Sequence, residues 1–153
     1  MPMRVFVCLS VLLVVGACRK PDLVVASGPP KVDLARTGVP GGSLRLGPWT
    51  VRNQGPVRAR TTSGSFTNSY YLSADPVIST DDRLLQGAAA TTTGNLEPGQ
   101  TFTFPGDEIR IPTDLTPGTY YFGILVDRAN DVRESDESNN AVSVRIGIVR
   151  EPD

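Results

Sequence analysis

The feature that most constrains this chain is a short-range alternation. From about residue 23 to residue 148 apolar side chains recur at every second position in runs of four to eight, and Gly, Pro, Asn and Asp separate the runs. Successive side chains of an extended strand point to opposite faces, so a period of two writes half-buried strands, whereas a helix needs apolar positions three and four apart. No window sustains the helical period, and the chain is predicted to be all-β.

The expected strands follow from these runs. The first covers Leu23 to Ala26 and the second Ser43 to Asn53. In the second, Leu44 and Leu46 are out of phase with Trp49 and Val51, so a bulge at Gly47-Pro48 is predicted to return both pairs to the core. Phe66, Tyr70 and Leu72 form the inward row of a third strand, with Asn68 in the same phase as an edge or hydrogen-bonded position. Arg83 to Gln86 adds a short strand. Phe102 and Phe104, then Ile109 and Ile111, make one kinked strand or two short ones, broken at Pro105-Gly106. Thr119 to Asp127 is the clearest strand, with Tyr120, Phe122, Ile124 and Val126 inward, and Tyr120 is placed to act as a corner tyrosine bonding back to the preceding connection. Val142, Val144, Ile146 and Ile148 form the last strand, expected to pair with it. About seven antiparallel strands without helices make an immunoglobulin-like or fibronectin-III-like β-sandwich.

The N-terminus is written differently. Met1 to Ala17 has an early Arg4, an apolar run from Val5 to Val15, and Gly16-Ala17 before Cys18, the order of a secretory signal. The apolar run is about eleven residues, short of the roughly twenty that cross a bilayer. Residues 1–17 are therefore expected to be removed and the protein exported. Val15-Gly16-Ala17-Cys18 also resembles the lipobox of bacterial lipoproteins, which implies a lipidated Cys18, a short tether over residues 18–20, and a membrane anchor of two or three acyl chains in the cell envelope. Arg19 stands where an Asp would resemble the inner-membrane retention signal, so in a Gram-negative cell the outer membrane is favoured. The sandwich itself is expected over residues 21–149, with 150–153 as a tail. Apart from Cys8, inside the signal, and Cys18 there is no cysteine, so no disulfide holds the fold.

Composition closes several functions. With no His and no Cys beyond residue 18, neither the usual zinc spacings nor Ser-His-Asp and Cys-His arrangements exist in this chain. No glycine-rich loop leads into a Lys-Ser/Thr helix start, which leaves nucleotide binding unsupported. The 15 basic and 16 acidic side chains form no basic block, so nucleic acid is not an expected partner. Glu134, Asp136 and Glu137 lie close in sequence, but on a loop without an aromatic sugar platform, which argues against a glycosidase. No enzyme is expected.

Two weaker constellations remain. Asp75, Asp81 and Asp82 surround one connection and carry the oxygen chemistry that calcium takes. The competing reading makes them turn residues whose carboxylates accept backbone N–H bonds. Tyr71 and Tyr121 fall on outward phases and are the aromatic candidates for surface contact with a protein or glycan. For Glu134 to Asn140 a structural role is expected, with Asn139 and Asn140 in a left-handed turn and the acids solvated or paired with Arg128 and Arg133.

Several phrases then match one family in order: Pro21-Asp22-Leu23-Val24-Val25, Pro40-Gly41-Gly42-Ser43, Val51-Arg52-Asn53-Gln54-Gly55, Tyr71-Leu72-Ser73-Ala74-Asp75, Asp81-Asp82-Arg83-Leu84-Leu85, Leu96-Glu97-Pro98-Gly99-Gln100, Pro117-Gly118-Thr119-Tyr120-Tyr121, and Glu134-Ser135-Asp136-Glu137-Ser138-Asn139-Asn140. Together they resemble the CARDB domain, the cell adhesion related domain found in bacteria, over about residues 21 to 148. The resemblance implies a sandwich without catalytic residues, used as a binding or adhesion module, with Asn53, Gly55, Tyr120, Glu134, Glu137, Asn139 and Asn140 as its structural motif. Gly47-Pro48 and the wide stretch Arg58 to Ser65 depart from the family pattern. Two alternatives stay open beside adhesion: an accessory subunit of a larger envelope assembly lending a sheet edge, and a calcium-stabilised adhesion domain.

Overall fold

In the computed structural model the described residues are 19–32, 37–93 and 95–150, with the backbone alone for 37 and 86–93. The expected signal over 1–17, Cys18 and residues 151–153 of the tail lie outside the described residues.

Ten strands and no helix occur among the described residues. They are β1 (Leu23–Val25), β2 (Thr37–Gly38), β3 (Ser43–Leu46), β4 (Trp49–Asn53), β5 (Ser65–Ser73), β6 (Arg83–Thr93), β7 (Thr101–Phe104), β8 (Asp107–Arg110), β9 (Gly118–Leu125) and β10 (Ala141–Ile148). One sheet has the order β2-β10-β9-β5-β6, a second β1-β4-β7, and β3-β8 form a two-stranded ribbon. The pairings are antiparallel except for the parallel contact of β2 with β10. β10 pairs β9 along its whole length, Val144 opposite Phe122 and Ile146 opposite Tyr120, as the matched alternation required.

The count exceeds seven because two expected strands are each divided between sheets and because the two-residue β2 is a strand that the alternation does not mark. Gly47-Pro48 does not insert a bulge: β3 ends at Leu46 on β8, and β4 starts at Trp49 between β1 and β7. Pro105-Gly106 makes the matching switch on the partner chain segment, with Gly106 at φ 101° and the carbonyl oxygen of Leu46 closing off the space where a side chain would stand. Pro lacks the N–H that a continuous ladder would use, so both segments change partners at the same level. The change of phase still brings Leu44, Leu46, Trp49 and Val51 all into the core.

That core is one cluster drawn from both sheets and the ribbon. Trp49 stacks on Phe104 with ring centroids 4.2 Å apart, and its indole N–H donates to the Tyr70 hydroxyl at 3.0 Å. A large aromatic buried with its polar end satisfied contributes area without a desolvation penalty. Tyr120 packs on this cluster and its hydroxyl donates to the carbonyl of Thr116 at 3.1 Å, the corner contact expected of it.

Candidate functional site

Apart from Tyr120, which bonds to Thr116 at the start of β9, the motif residues meet at one end of the sandwich, around the start of β1. Asn53, the last residue of β4, is fully buried. Its Oδ1 accepts the N–H groups of Asp22 (3.1 Å) and Gly55 (3.0 Å), and its Nδ2 donates to the carbonyls of Val57 (2.7 Å) and Leu96 (2.9 Å). One amide thus meets every hydrogen-bonding need it has and ties three connections together. Gly55 is required by close approach: a Cβ there would stand 2.6 Å from Lys20 O and from Asp22 N.

Glu134 lies beside this amide and is 2% exposed. Its Oε2 accepts the N–H of Leu23, and its Oε1 accepts from Asn140 Nδ2 at 2.7 Å. Burial pushes its carboxyl up to about 7, against the two N–H donors that favour the ionised form, and the nearby charges of Glu137 and Asp127 act in the same sense as burial. Asn139 Nδ2 donates to Asp22 Oδ1 at 2.9 Å, the N–H of Ser135 donates to the carbonyl of Pro21 at 2.9 Å, and Glu137 Oε1 accepts the N–H of Glu134 at 2.8 Å. Residues 20–23 are therefore fastened by the loop before β10 and by the turn after β4.

This geometry alters two expectations for the loop. Asn139 and Asn140 do not supply left-handed backbone; among the described residues the non-glycine residues with positive φ are Asp127 (48°) and Asn130 (53°). Glu134 is buried rather than solvated, and the ion pairs among the described residues are Arg58–Glu97 and Arg83–Asp114, neither involving Arg128 or Arg133. The reason is that the acids bond to main chain within reach: Asp136 Oδ1, for example, accepts the N–H of Ser138 at 2.9 Å.

Asp127 and Asn68 belong to this end although the pattern singled out neither as a motif residue. Asn68 Oδ1 accepts the N–H of Asp127 at 3.1 Å, and the Asp127 carboxylate accepts the N–H groups of Asp131 (3.1 Å) and Val132 (2.8 Å) while burial raises its pKa. The available signal was an Asp at a strand end followed by Arg-Ala-Asn, the composition of an Asx turn.

The aspartates of the 74–82 connection behave as turn residues. Asp75 Oδ1 accepts the N–H of Val77 at 2.8 Å, Asp82 Oδ2 accepts that of Ser79 at 2.7 Å, and the N–H of Asp81 donates to Ser79 Oγ at 3.2 Å. No group of three His, Cys, Asp or Glu side chains among the described residues is placed to hold a metal ion.

Tyr71 is the clearest correction. It faces outward as expected, opposite Gly123 and Leu84, yet it is 1% exposed. The 74–82 connection folds back over this face: Ser143 Oγ donates to the carbonyl of Pro76 at 2.7 Å, and Ile78 fills the space above Gly123, where a Cβ would meet Ile78 Cγ1 at 2.2 Å. A missing side chain on β9 thus makes room for the loop that covers Tyr71. Tyr121, two residues before Gly123, remains half-exposed.

At the opposite end of the sandwich an open groove of about 760 Å³ runs between β6 and β8, lined by Arg83, Leu84, Glu108, Arg110, Ile111, Pro112, Thr113 and Asp114. Arg83 and Asp114 form a two-pronged pair across it at 2.7 and 2.9 Å.

Comparison with known proteins agrees with this architecture. The structure resembles the crystal structure of the CARDB domain of a Pyrococcus furiosus protein, solved with di-metal ions, at 21% identity and TM-score 0.53, over 88% of this chain and 99% of that one. A solution structure of that same domain matches at 21% identity and TM-score 0.50, over 87% of this chain and 99% of that one. β-Glucosidase 3B of Thermotoga neapolitana matches at 15% identity and TM-score 0.50, covering 86% of this chain but 16% of the enzyme. No curated protein matches the chain. The model of the CARDB family matches residues 20–144, from the fastened N-terminal segment into β10. Fold, motif residues and family model coincide, and the chain belongs to the CARDB family, a family of non-catalytic modules.

Proposed function

We propose that this CARDB domain is a lipid-anchored module of the cell envelope, exported and held through Cys18, that presents its sandwich to another protein or a surface glycan. The observation that carries the reading is the division of labour between the two ends. The polar motif residues Asn53, Glu134 and Asn139 are consumed in holding the chain at residues 20–23, and the open groove lies at the other end. Arg19 and Lys20 alone separate Cys18 from the fastened Pro21, so an acylated Cys18 sets the clamped end against the membrane and points the groove outward.

Intact-mass measurement of the membrane-extracted protein is expected to show a processed chain starting at Cys18 with added acyl chains. The Cys18→Ser variant is expected to lose both the added mass and membrane fractionation; an unacylated wild-type mass would sink the anchor. Affinity capture on intact envelopes tests the presenting role, which falls if no partner is retained specifically.

The accessory-subunit reading draws on one observation, the edge of β8, which among the described residues pairs with β3 alone. For Asp75, Asp81 and Asp82 we keep the turn role, because their contacts are to backbone and Ser79. The melting temperature is accordingly expected to be equal in calcium and in chelator; a rise with calcium concentration, as mass action requires of a bound ion, would restore the calcium-stabilised reading.

A further inference from the structure

Among the described residues the three sheets have six end strands, and an open strand edge presents unpaired N–H and C=O groups that another chain can meet. Five of the six are blunted. β1 and β2 are three and two residues long, and β3 is flanked by the segment at Lys31 and Val32. β6 shifts register opposite Tyr70, and β8 carries Asp107, Glu108 and Arg110 with β6 close beside it. β7 has none of these guards: Thr101-Phe102-Thr103-Phe104 holds no charge and no proline and pairs β4 in unbroken register. No second strand lies along it as β6 does along β8.

The ladder fixes which of its groups are open. The Asn53 N–H donates to the Gln100 carbonyl at 3.0 Å, and one step further Val51 faces Phe102. Hydrogen bonds of an antiparallel ladder leave each strand on alternate sides, so the N–H and C=O groups of Thr101 and Thr103 point away from β4. Thr101, Phe102 and Thr103 are all exposed. Phe102 is 39% exposed although it shares the inward phase of the buried Phe104, whose ring lies 4.9 Å from its own. An apolar ring and four open main-chain groups thus stand together on one flank of the sandwich.

We propose that the open edge of β7 is the docking site of an extended, uncharged segment of a partner protein, which adds a fourth strand to the β1-β4-β7 sheet. Antiparallel pairing uses both N–H and both C=O groups of Thr101 and Thr103 and sets one residue of the segment opposite Phe102, in the close approach of a non-hydrogen-bonded pair. That residue is aromatic or β-branched and covers the Phe102 ring; its two neighbours are threonine or serine, beside Thr101 and Thr103. A charge at the central position would lie on Phe102 with no counter-ion on β7. The inference rests on the binding-module reading and names its partner chemistry. A second copy of this chain does not fit beside an anchored one. Two β7 strands paired antiparallel run the copies in opposite directions, and because Gln100 lies at the clamped end the added copy would aim its groove end into the membrane. Parallel pairing of the same edge would turn the two Phe102 rings to opposite faces.

Selection from a displayed random peptide library against the full chain in detergent tests this. Enriched peptides are expected to carry an aromatic or β-branched residue between hydroxyl residues, without charge in that window. They should slow amide exchange at Thr101 and Thr103 but not at Phe102, whose N–H already faces β4. Binding is expected to weaken about tenfold or more in Phe102→Glu and in Thr103→Pro, the latter losing one edge donor. Proline is tolerated where the N–H of an edge strand faces solvent, so Thr103→Pro should melt as the wild type does; a much lower melting temperature would show that this N–H is in use and overturn the site. No enrichment, or peptides that bind both variants as they bind the wild type, also overturns it. Concentration-dependent dimers of the Cys18→Ser protein that protect the same two amides would give the edge to a second copy instead. If an envelope partner is captured equally by wild type and by Phe102→Glu, the edge is refuted while the binding-module reading stands.

Discussion

Replacing Asn53 by Leu is expected to cost about 4 kcal/mol of folding stability, read as a lower urea midpoint at unchanged slope. The side chain is fully buried and Leu keeps its branched four-atom shape, so no cavity is left and the loss comes from the hydrogen bonds. Four backbone groups lose their partner: the N–H of Asp22 and Gly55, and the carbonyls of Val57 and Leu96. Each buried polar group left unsatisfied costs about 1 kcal/mol or more. Asn53→Asp should cost at least as much near neutral pH, because the acceptor to Asp22 and Gly55 survives but the second carboxylate oxygen is buried against the carbonyls of Val57 and Leu96. A loss under about 1 kcal/mol for the Leu variant would mean that water takes over these bonds and that the amide does not hold the end together.

Glu134 gives the second large effect, and its direction is opposite to that of a surface carboxylate. Its folded pKa of about 7 lies above the ordinary carboxyl value of 4.5, so the folded state holds the proton more tightly than the unfolded chain does. The contribution to stability is full below pH 4.5, declines between 4.5 and about 7, and is absent above. At about 1.4 kcal/mol per pK unit the decline is about 3 kcal/mol. Asp127, raised by the same burial and facing the same cluster with Glu137, adds to the slope in the same sense. Urea unfolding as a function of pH checks this. In Glu134→Gln the slope should be shallower, above a constant loss, because an amide can accept from only one of the two donors, Leu23 N–H and Asn140 Nδ2. A parallel pH profile in wild type and variant would show that Glu134 keeps an ordinary pKa and that its two donors outweigh burial.

The alternation and its turn residues were enough to read the sandwich, because a period of two with one buried face admits few registers. A slip of one residue would expose Phe122, Ile124, Val144 and Ile146 together. Tyr120, two positions after Gly118 in the Thr116-Pro117-Gly118 turn, made a corner contact legible for the same local reason.

The rest depended on contacts between segments distant in sequence. Gly47-Pro48 interrupts one run and Pro105-Gly106 another, but only their position at the same level of the fold turns two irregularities into a strand exchange between sheets. Tyr71 has an outward phase, and its burial follows from a loop that finds room above Gly123, which no local rule contains. The phrases around Asn53, Gly55, Glu134, Asn139 and Asn140 signalled a structural motif from sequence alone. That all of them converge on residues 20–23, leaving the groove at the other end, was decided by tertiary structure. Phase and turn chemistry are properties of neighbouring residues, whereas burial and hydrogen-bond partners belong to residues brought together only when the two sheets close on a common core.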